Sequence, residues 1–400
     1  MMRHAFKLVW NRKGSNALVG LEIFVAFLVL FGVVVLGAHF VDNARRPLGY
    51  DYADVWEVSV DTRAGDVREP PSGPADAGVR SETTRQLFLG VRSLDEVVAV
   101  AAARTTPYGV STISSDEFDG RPLLFDVDEV TDDFAKVMGL EVLDGRFFGR
   151  EDDGDNGVPV VLNAEMARRA FGAASPVGKS IPSRDEKLRV VGVVREYRRR
   201  GEYASPGCFL FKRSRLEDAT PKPVANLLVR TKPGTPRDFE QRLIARLRKA
   251  APAWSFVARP VPEARASSLR LQRAPVVAFA VVALFLIVMV ALGLSGVLWQ
   301  NVTGRTREIG LRRAMGANVR HIHMQILGEL FVVASIAIGL GVIVVLQFPL
   351  LDVLGFIRPA VYGTSLAAAA VVLFALTLAC GLTPSRLAAS GMPAEALRDE

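Results

Sequence analysis

The chain has 400 residues, half of them hydrophobic, with 49 Lys and Arg against 42 Asp and Glu and a net charge of +7. A mean hydropathy of +0.25 is high for a soluble protein, and the apolar residues gather in four long runs. The basic excess is interleaved with acidic residues along most of the chain, so it reads as charge flanking membrane spans and not as a nucleic-acid surface. The two cysteines, Cys208 in a polar region and Cys380 in an apolar run, provide no disulfide framework.

Residues 1–16 place Met2, Phe6, Val9 and Trp10 at helical spacing, with Arg3 and Lys7 on another face. That pattern predicts a helix lying in the cytoplasmic membrane interface. Ser15 or Asn16 is suitably placed to cap the helix that follows. Residues 17–40 form the first span, with Glu22 as the only charge. A hydrocarbon core of about 30 Å requires about 20 apolar residues, which this run supplies. It is longer than the ~7–15-residue core of a signal peptide. No small-x-small cleavage site follows, so an uncleaved anchor is expected.

Residues 41–273 read as an α+β domain with mixed sheets in two lobes. Strands are predicted at Val55–Val60, Pro122–Val127, Val158–Leu162, Leu188–Val194, Phe209–Phe211 and Leu227–Arg230. Helices are predicted at Thr83–Arg92, Asp132–Met138, Ala164–Phe171 and Pro236–Ala250, and the Pro- and Gly-rich stretch Ala64–Gly78 as a surface loop. The domain holds no histidine, which removes Ser-His-Asp and Cys-His catalysis and the usual Cys/His metal spacings. The acidic cluster Glu151, Asp152, Asp153 and Asp155 reads as a solvated loop, with cation binding as the alternative. Gly178-Lys179-Ser180 ends like a phosphate-binding loop, but five residues separate Gly172 from Gly178 where that motif has four, and Pro176 interrupts them. A turn is the expected structure there.

The second span is 274–299, without charge, followed by a basic loop at 300–323. The third span is 324–348 and contains Glu329. A short external loop at 349–363 leads to the fourth span at 364–383, ended by Pro384, and a tail at 384–400. Glu22 and Glu329 are intramembrane carboxylates, a functional site by default, with an inter-helix hydrogen bond or an interfacial acid as the plainer alternative. The loop at 300–323 carries Arg305, Arg307, Arg312, Arg313 and Arg320, and the tail carries Arg386 and Arg398; the 349–363 loop has only Arg358, offset by Asp352. The bias puts both termini and the basic loop in the cytoplasm and residues 41–273 outside. His321 and His323 are two apart, and on a helix they point to roughly opposite faces.

The most specific segment is Thr306-Arg307-Glu308-Ile309-Gly310-Leu311-Arg312-Arg313-Ala314-Met315-Gly316-Ala317. As physical chemistry it is a short basic helix: Glu308 and Arg312 form an i,i+4 pair worth about 0.2–0.5 kcal/mol, and Gly316 is able to end it. Spacing alone leaves its role open. The run resembles the hallmark of the MacB/FtsX-like family of ABC transporter permeases, the type VII or mechanotransmission permeases. The likeness extends through Leu143–Phe148, Val158–Asn163, Pro176–Lys179 and Val190–Val194, and ends at Pro393-Ala394-Glu395-Ala396-Leu397-Arg398.

The resemblance implies a non-enzymatic permease subunit of the bacterial inner membrane with a MacB-like periplasmic domain. A separate ABC ATPase, holding ATP and Mg, would dock on a coupling loop formed by Arg305, Arg307, Glu308, Ile309, Gly310, Leu311, Arg312, Arg313, Met315 and Gly316. No cofactor or metal is expected in this chain, which shows no Walker motif. Its expected partners are a second permease (a homodimer or a related chain), membrane lipid, and a periplasmic adaptor with an outer-membrane channel. The implied role is export or extraction of a periplasmic or membrane substrate. The alternative is an FtsX-like regulator that activates a periplasmic cell-wall hydrolase without transport.

Overall fold

Apolar runs longer than a bilayer core form long helices, and β-rich segments punctuated by Gly and Pro form a sheet between the first two. The computed structural model describes residues 13–61, 74–109, 113–118, 121–154, 157–181, 186–215, 226–303, 311, 319–351 and 353–390. In chain order the elements are α1 (Lys13–Ala44), β1 (Val55–Asp61), α2 (Pro74–Arg92), β2 (Val97–Ala103), β3 (Ile113–Phe118), β4 (Arg121–Val130), α3 (Phe134–Met138), β5 (Val142–Gly145), β6 (Val158–Asn163), α4 (Ala164–Phe171), β7 (Ser180–Ile181), β8 (Leu188–Val194), β9 (Cys208–Arg213), β10 (Asn226–Thr231), α5 (Phe239–Ala250), β11 (Ser255–Pro260), α6 (Val261–Thr303), α7 (Val319–Val345) and α8 (Pro359–Ser390). Two compact units result, one from residues 43–272 and the other from residues 1–42 with 273–400.

The unit at 43–272 is built on a mixed sheet of order β11-β1-β10-β2-β4-β9-β6-β8-β5, with β3 added to β4 and β7 to β8. The pairs β4–β9 and β6–β8 are parallel, and the other pairs are antiparallel. The two lobes join where β2 meets β4 at a single register pair, Ala103 with Val130. Thr131 reinforces that seam, its N–H donating to the Ala102 carbonyl and its Oγ1 accepting from the Ala102 N–H.

Period-two alternation divides the apolar residues between the faces of the sheet. Val55, Ala99, Ala101 and Leu228 enter one cluster with Phe134, Phe209 and Phe211, a cluster shared by both lobes. Trp56, Val58, Val100, Leu227 and Val229 face the other way, against α2 and α5. In the second lobe Val160, Leu162, Val190 and Leu210 pack on Met166 of α4. Helix α5 buries Phe239, Leu243 and Leu247, four residues apart on one stripe, each contributing roughly 1.5–3 kcal/mol.

In the other unit the apolar side of α1 (Ile23, Phe27, Phe31 and Val35) packs with Val333, Ala334 and Ala337 of α7 and Tyr362, Ala369 and Leu373 of α8. Among the described residues α1, α6, α7 and α8 are each long and apolar enough to cross a membrane.

Several details differ from expectation. Helix α2 begins at Pro74, so Pro74–Gly78 is helical; proline at a first helical position loses no hydrogen bond. The part of the expected Ala64–Gly78 loop before Pro74 lies outside the described residues. Ser15 and Asn16 lie inside α1, which already includes Lys13, and so do not cap it. Helix α8 continues through Pro384 to Ser390: proline removes one intrahelical bond without stopping a helix held by its flanks. Helix α7 ends at Val345, and residues 346–351 form turns. The interfacial helix expected over residues 1–16 lies outside the described residues up to residue 12.

Candidate functional site

The loop Glu196–Ala204 follows β8, where an unbroken apolar run stops at Arg195. It carries Tyr197-Arg198-Arg199-Arg200, and the first three of these side chains are buried. Arg198 Nη1 donates to the carbonyl oxygens of Asn43 (2.9 Å) and Arg46 (3.0 Å), and its Nη2 to those of Glu202 (2.5 Å) and Ala204 (2.7 Å). The guanidinium fork suits this task, since its donors are fixed in one plane. Asn43 Nδ2 answers by donating to the Tyr203 carbonyl at 3.2 Å, and the Arg198 N–H donates to the Leu48 carbonyl at 2.9 Å. The chain leaving α1 is thereby laced to this loop. Burial pushes the Arg198 guanidinium below its ordinary value.

The start of α6 reaches the same loop. Arg265 Nε donates to Glu202 Oε1 at 2.6 Å, and its guanidinium lies 4.9 Å from the centre of the Tyr52 ring. About two turns further, Gln272 Nε2 donates to the Arg200 carbonyl at 3.0 Å. Close approach is enforced by glycine: at Gly49 (φ +82°) a Cβ would overlap the Glu196 carbonyl, and at Gly201 (φ +93°) it would press on the Tyr108 ring.

Beneath the loop runs a buried polar relay. Arg199 Nη1 donates to Thr105 Oγ1 (2.6 Å), which donates to Asp128 Oδ2 (2.7 Å), while the Thr105 N–H donates to Asp128 Oδ1 (3.1 Å). Burial raises the Asp128 carboxyl to about 6, although Thr105 and the Arg199 charge pull the other way. Burial likewise raises the Tyr197 hydroxyl. Charge spacing along the chain carries no signal for this site; the run of three arginines between Tyr197 and Gly201 is its one mark.

The acidic cluster is the expected solvated loop at Glu151 and Asp153, both exposed, and departs from it at Asp152. Asp152 is fully buried, with Arg146 donating to both its oxygens at 2.6 and 2.5 Å and the Gly149 N–H at 3.1 Å. Asp153 accepts from Arg213 at 2.8 Å. The arginines that neutralise this cluster are distant in sequence or lie in another turn, so composition hid them. Asp155 lies outside the described residues. Around Gly178 (φ +84°) the chain turns into β7, and Lys179 Nζ sits 5.3 Å from the Phe171 ring centre.

Of the predicted coupling loop, Arg305, Arg307, Glu308, Ile309, Gly310, Arg312, Arg313, Met315 and Gly316 lie outside the described residues; Leu311 is helical and exposed. The two intramembrane carboxylates have different surroundings. Glu329 is buried and accepts from Gln325 Nε2, one turn earlier on α7, at 3.2 Å. Glu22 lines a cavity between α1, α6 and α8.

Comparison with known proteins places this architecture. The model of the MacB-like periplasmic core domain matches residues 17–246, and that of the FtsX-like permease C-terminal region matches residues 280–393. The macrolide export ATP-binding/permease protein MacB of Bdellovibrio bacteriovorus is 26% identical over 427 residues, covering 100% of this chain and 61% of its own length. Its namesake in Chromobacterium violaceum is 28% identical over 221 residues, covering 52% of this chain and 33% of its own length. The chain thus spans between a third and three-fifths of these curated relatives. A crystal structure of the periplasmic region of MacB from Actinobacillus actinomycetemcomitans aligns with a TM-score of 0.37 at 14% identity, over 56% of this chain and 94% of that one. With one family model covering more than half of its residues and a second covering the following spans, the chain belongs to the MacB/FtsX-like family of ABC transporter permeases.

Proposed function

We propose that this chain is the membrane subunit of an ATP-driven transporter, carrying conformational change from a cytoplasmic ATPase to its periplasmic domain for export or extraction of a substrate. The observation that carries this reading is the lacing of Glu196–Ala204. The chain leaving α1 and the start of α6, which continue into the first two spans, are bound to one loop through Arg198, Arg265 and Gln272. A displacement of either helix is therefore felt at the loop, which leads directly into β9 of the sheet. The names of the relatives, export proteins with an ATP-binding part, support the direction of transport.

In this reading ATP and Mg are bound by a partner ATPase, which docks on residues 305–316 from the cytoplasm. The arginine bias of that loop and of the tail supports the orientation. The chain itself performs no chemistry and works as a dimer with itself or a related permease. Charge reversal at Glu308 (E308K) or Arg312 (R312E) is expected to weaken ATPase association while membrane insertion is retained. Unchanged co-purification of an ATPase with both variants would remove the coupling role. Recovery of a cell-wall hydrolase, and not an adaptor and outer-membrane channel, with the solubilised chain would replace export by regulation.

A further inference from the structure

Glu22 is the only charged residue of the first span, and among the described residues its carboxylate has no hydrogen-bond or ion-pair partner. It rests instead in a notch: a Cβ at Gly293 of α6 would overlap its Oε1. The carboxylate borders a cavity of about 270 Å³ whose other lining side chains, among them Val25, Val29, Leu286, Met289 and Leu373, are all apolar. The volume falls just under the roughly 300–1,000 Å³ of small-molecule pockets.

The order of these residues along α1 gives the cavity a polarity. The span begins at Ala17, so Glu22 lies about 7–8 Å along the helix at 1.5 Å per residue. Val25 to Leu30 carry the cavity about two turns further into the apolar run. A membrane amphiphile has the same layout, with a polar end near the interface and an apolar body below. A carboxylate held in a low-dielectric setting is stabilised by a cation. An anionic or neutral head gains nothing from Glu22, and a small inorganic cation leaves the apolar walls unused.

We propose that the cavity between α1, α6 and α8 binds a single-chain lipophilic amine, its ammonium paired with Glu22 and its apolar body along Val25–Leu30. This site goes beyond the transport reading and stands whether or not an ATPase docks on the loop.

The test uses the full chain in maltoside micelles with a photoreactive dodecylamine, followed by peptide mapping. Labelling is expected on segments 22–30, 286–290 and 373–376, competed by unlabelled dodecylamine and not by dodecanol or dodecyl sulfate. E22Q should weaken competition on the order of tenfold, about 1.4 kcal/mol. G293A keeps the charge but displaces the carboxylate, and should weaken it in the same direction; it also serves if E22Q fails to fold. Equal competition by dodecanol, or unchanged binding in both folded variants, would overturn the proposal and leave a groove for any lipid tail.

Discussion

Arg198 Nη1 donates to the carbonyl oxygen of Asn43 at 2.9 Å, joining residues 155 apart in sequence. The same buried guanidinium holds three further carbonyls, those of Arg46, Glu202 and Ala204. Arg198→Gln removes the charge and the fork together, leaving carbonyls that lost water on folding without donors. A loss on the order of 3 kcal/mol is expected, since charge-assisted bonds contribute about 1.5–3 kcal/mol each and do not add. Hydrogen exchange should accelerate at residues 43–49 and 198–204 and stay unchanged in β1 and β10. If exchange at 43–49 is unaltered in this variant, the loop does not hold that leg.

Gly49 tests the close approach independently of charge. Its φ of +82° and the Glu196 carbonyl both exclude a side chain, whereas Gly234, at φ +78°, has open space around it. Gly234→Ala should therefore cost only the backbone strain, about 1 kcal/mol, and Gly49→Ala at least about 2 kcal/mol more. Equal midpoints in urea unfolding for the two variants would show that the chain between Leu48 and Glu196 yields easily.

Much of this fold was legible because it rests on local patterns. Four apolar runs gave four long helices, and alternation or unbroken β-branched runs gave β1, β6, β8 and β10 within a residue or two. β2 escaped notice because Val97–Ala103 is rich in alanine, a poor strand former; it is a strand because both its faces are covered. β11 alternates in burial, with Phe256 and Ala258 buried between exposed neighbours, but it is short and the apolar Val257 on its exposed side masks the pattern. The lacing of Arg198, Asn43, Glu202 and Arg265 depends on contacts between segments far apart in the chain. No periodicity reports such contacts, and a run of arginines reads by default as surface.

Asp152 provides the matching case for a buried acid. Burial alone pushes its carboxyl up, but the Arg146 pair and the Gly149 N–H outweigh burial and hold it below the ordinary value. Such a group stabilises the fold above the unfolded-state pKa, and that contribution is lost as pH falls through the lowered folded value. Asp152→Ala removes the acceptor of both Arg146 bonds and of the Gly149 N–H, leaves Arg146 its ion pair with Glu151, and should cost about 2 kcal/mol. Its difference from wild type should shrink on acidification below pH ~4. A difference that is small at neutral pH would mean that Asp152 is solvated like its exposed neighbours Glu151 and Asp153.

Asp128 should behave with the opposite sign. Its carboxyl is raised from 3.8 to about 6, first by burial, with Thr105 and Arg199 opposing. Between those two values the folded state keeps a proton that the unfolded chain has released, so stability falls as pH rises through the window. The largest possible loss is about 3 kcal/mol at 1.4 kcal/mol per unit. Asp128→Asn removes the titration at the expense of one bond from Thr105. Relative to that variant, wild type should therefore lose ground steadily from pH 4 to pH 7 in urea unfolding of the full chain. Above pH 7 the two curves should run parallel, because the carboxylate is then ionised in both states. A stability difference that stays flat from pH 4 to pH 7 would mean that the relay through Thr105 to Arg199 keeps Asp128 ionised throughout.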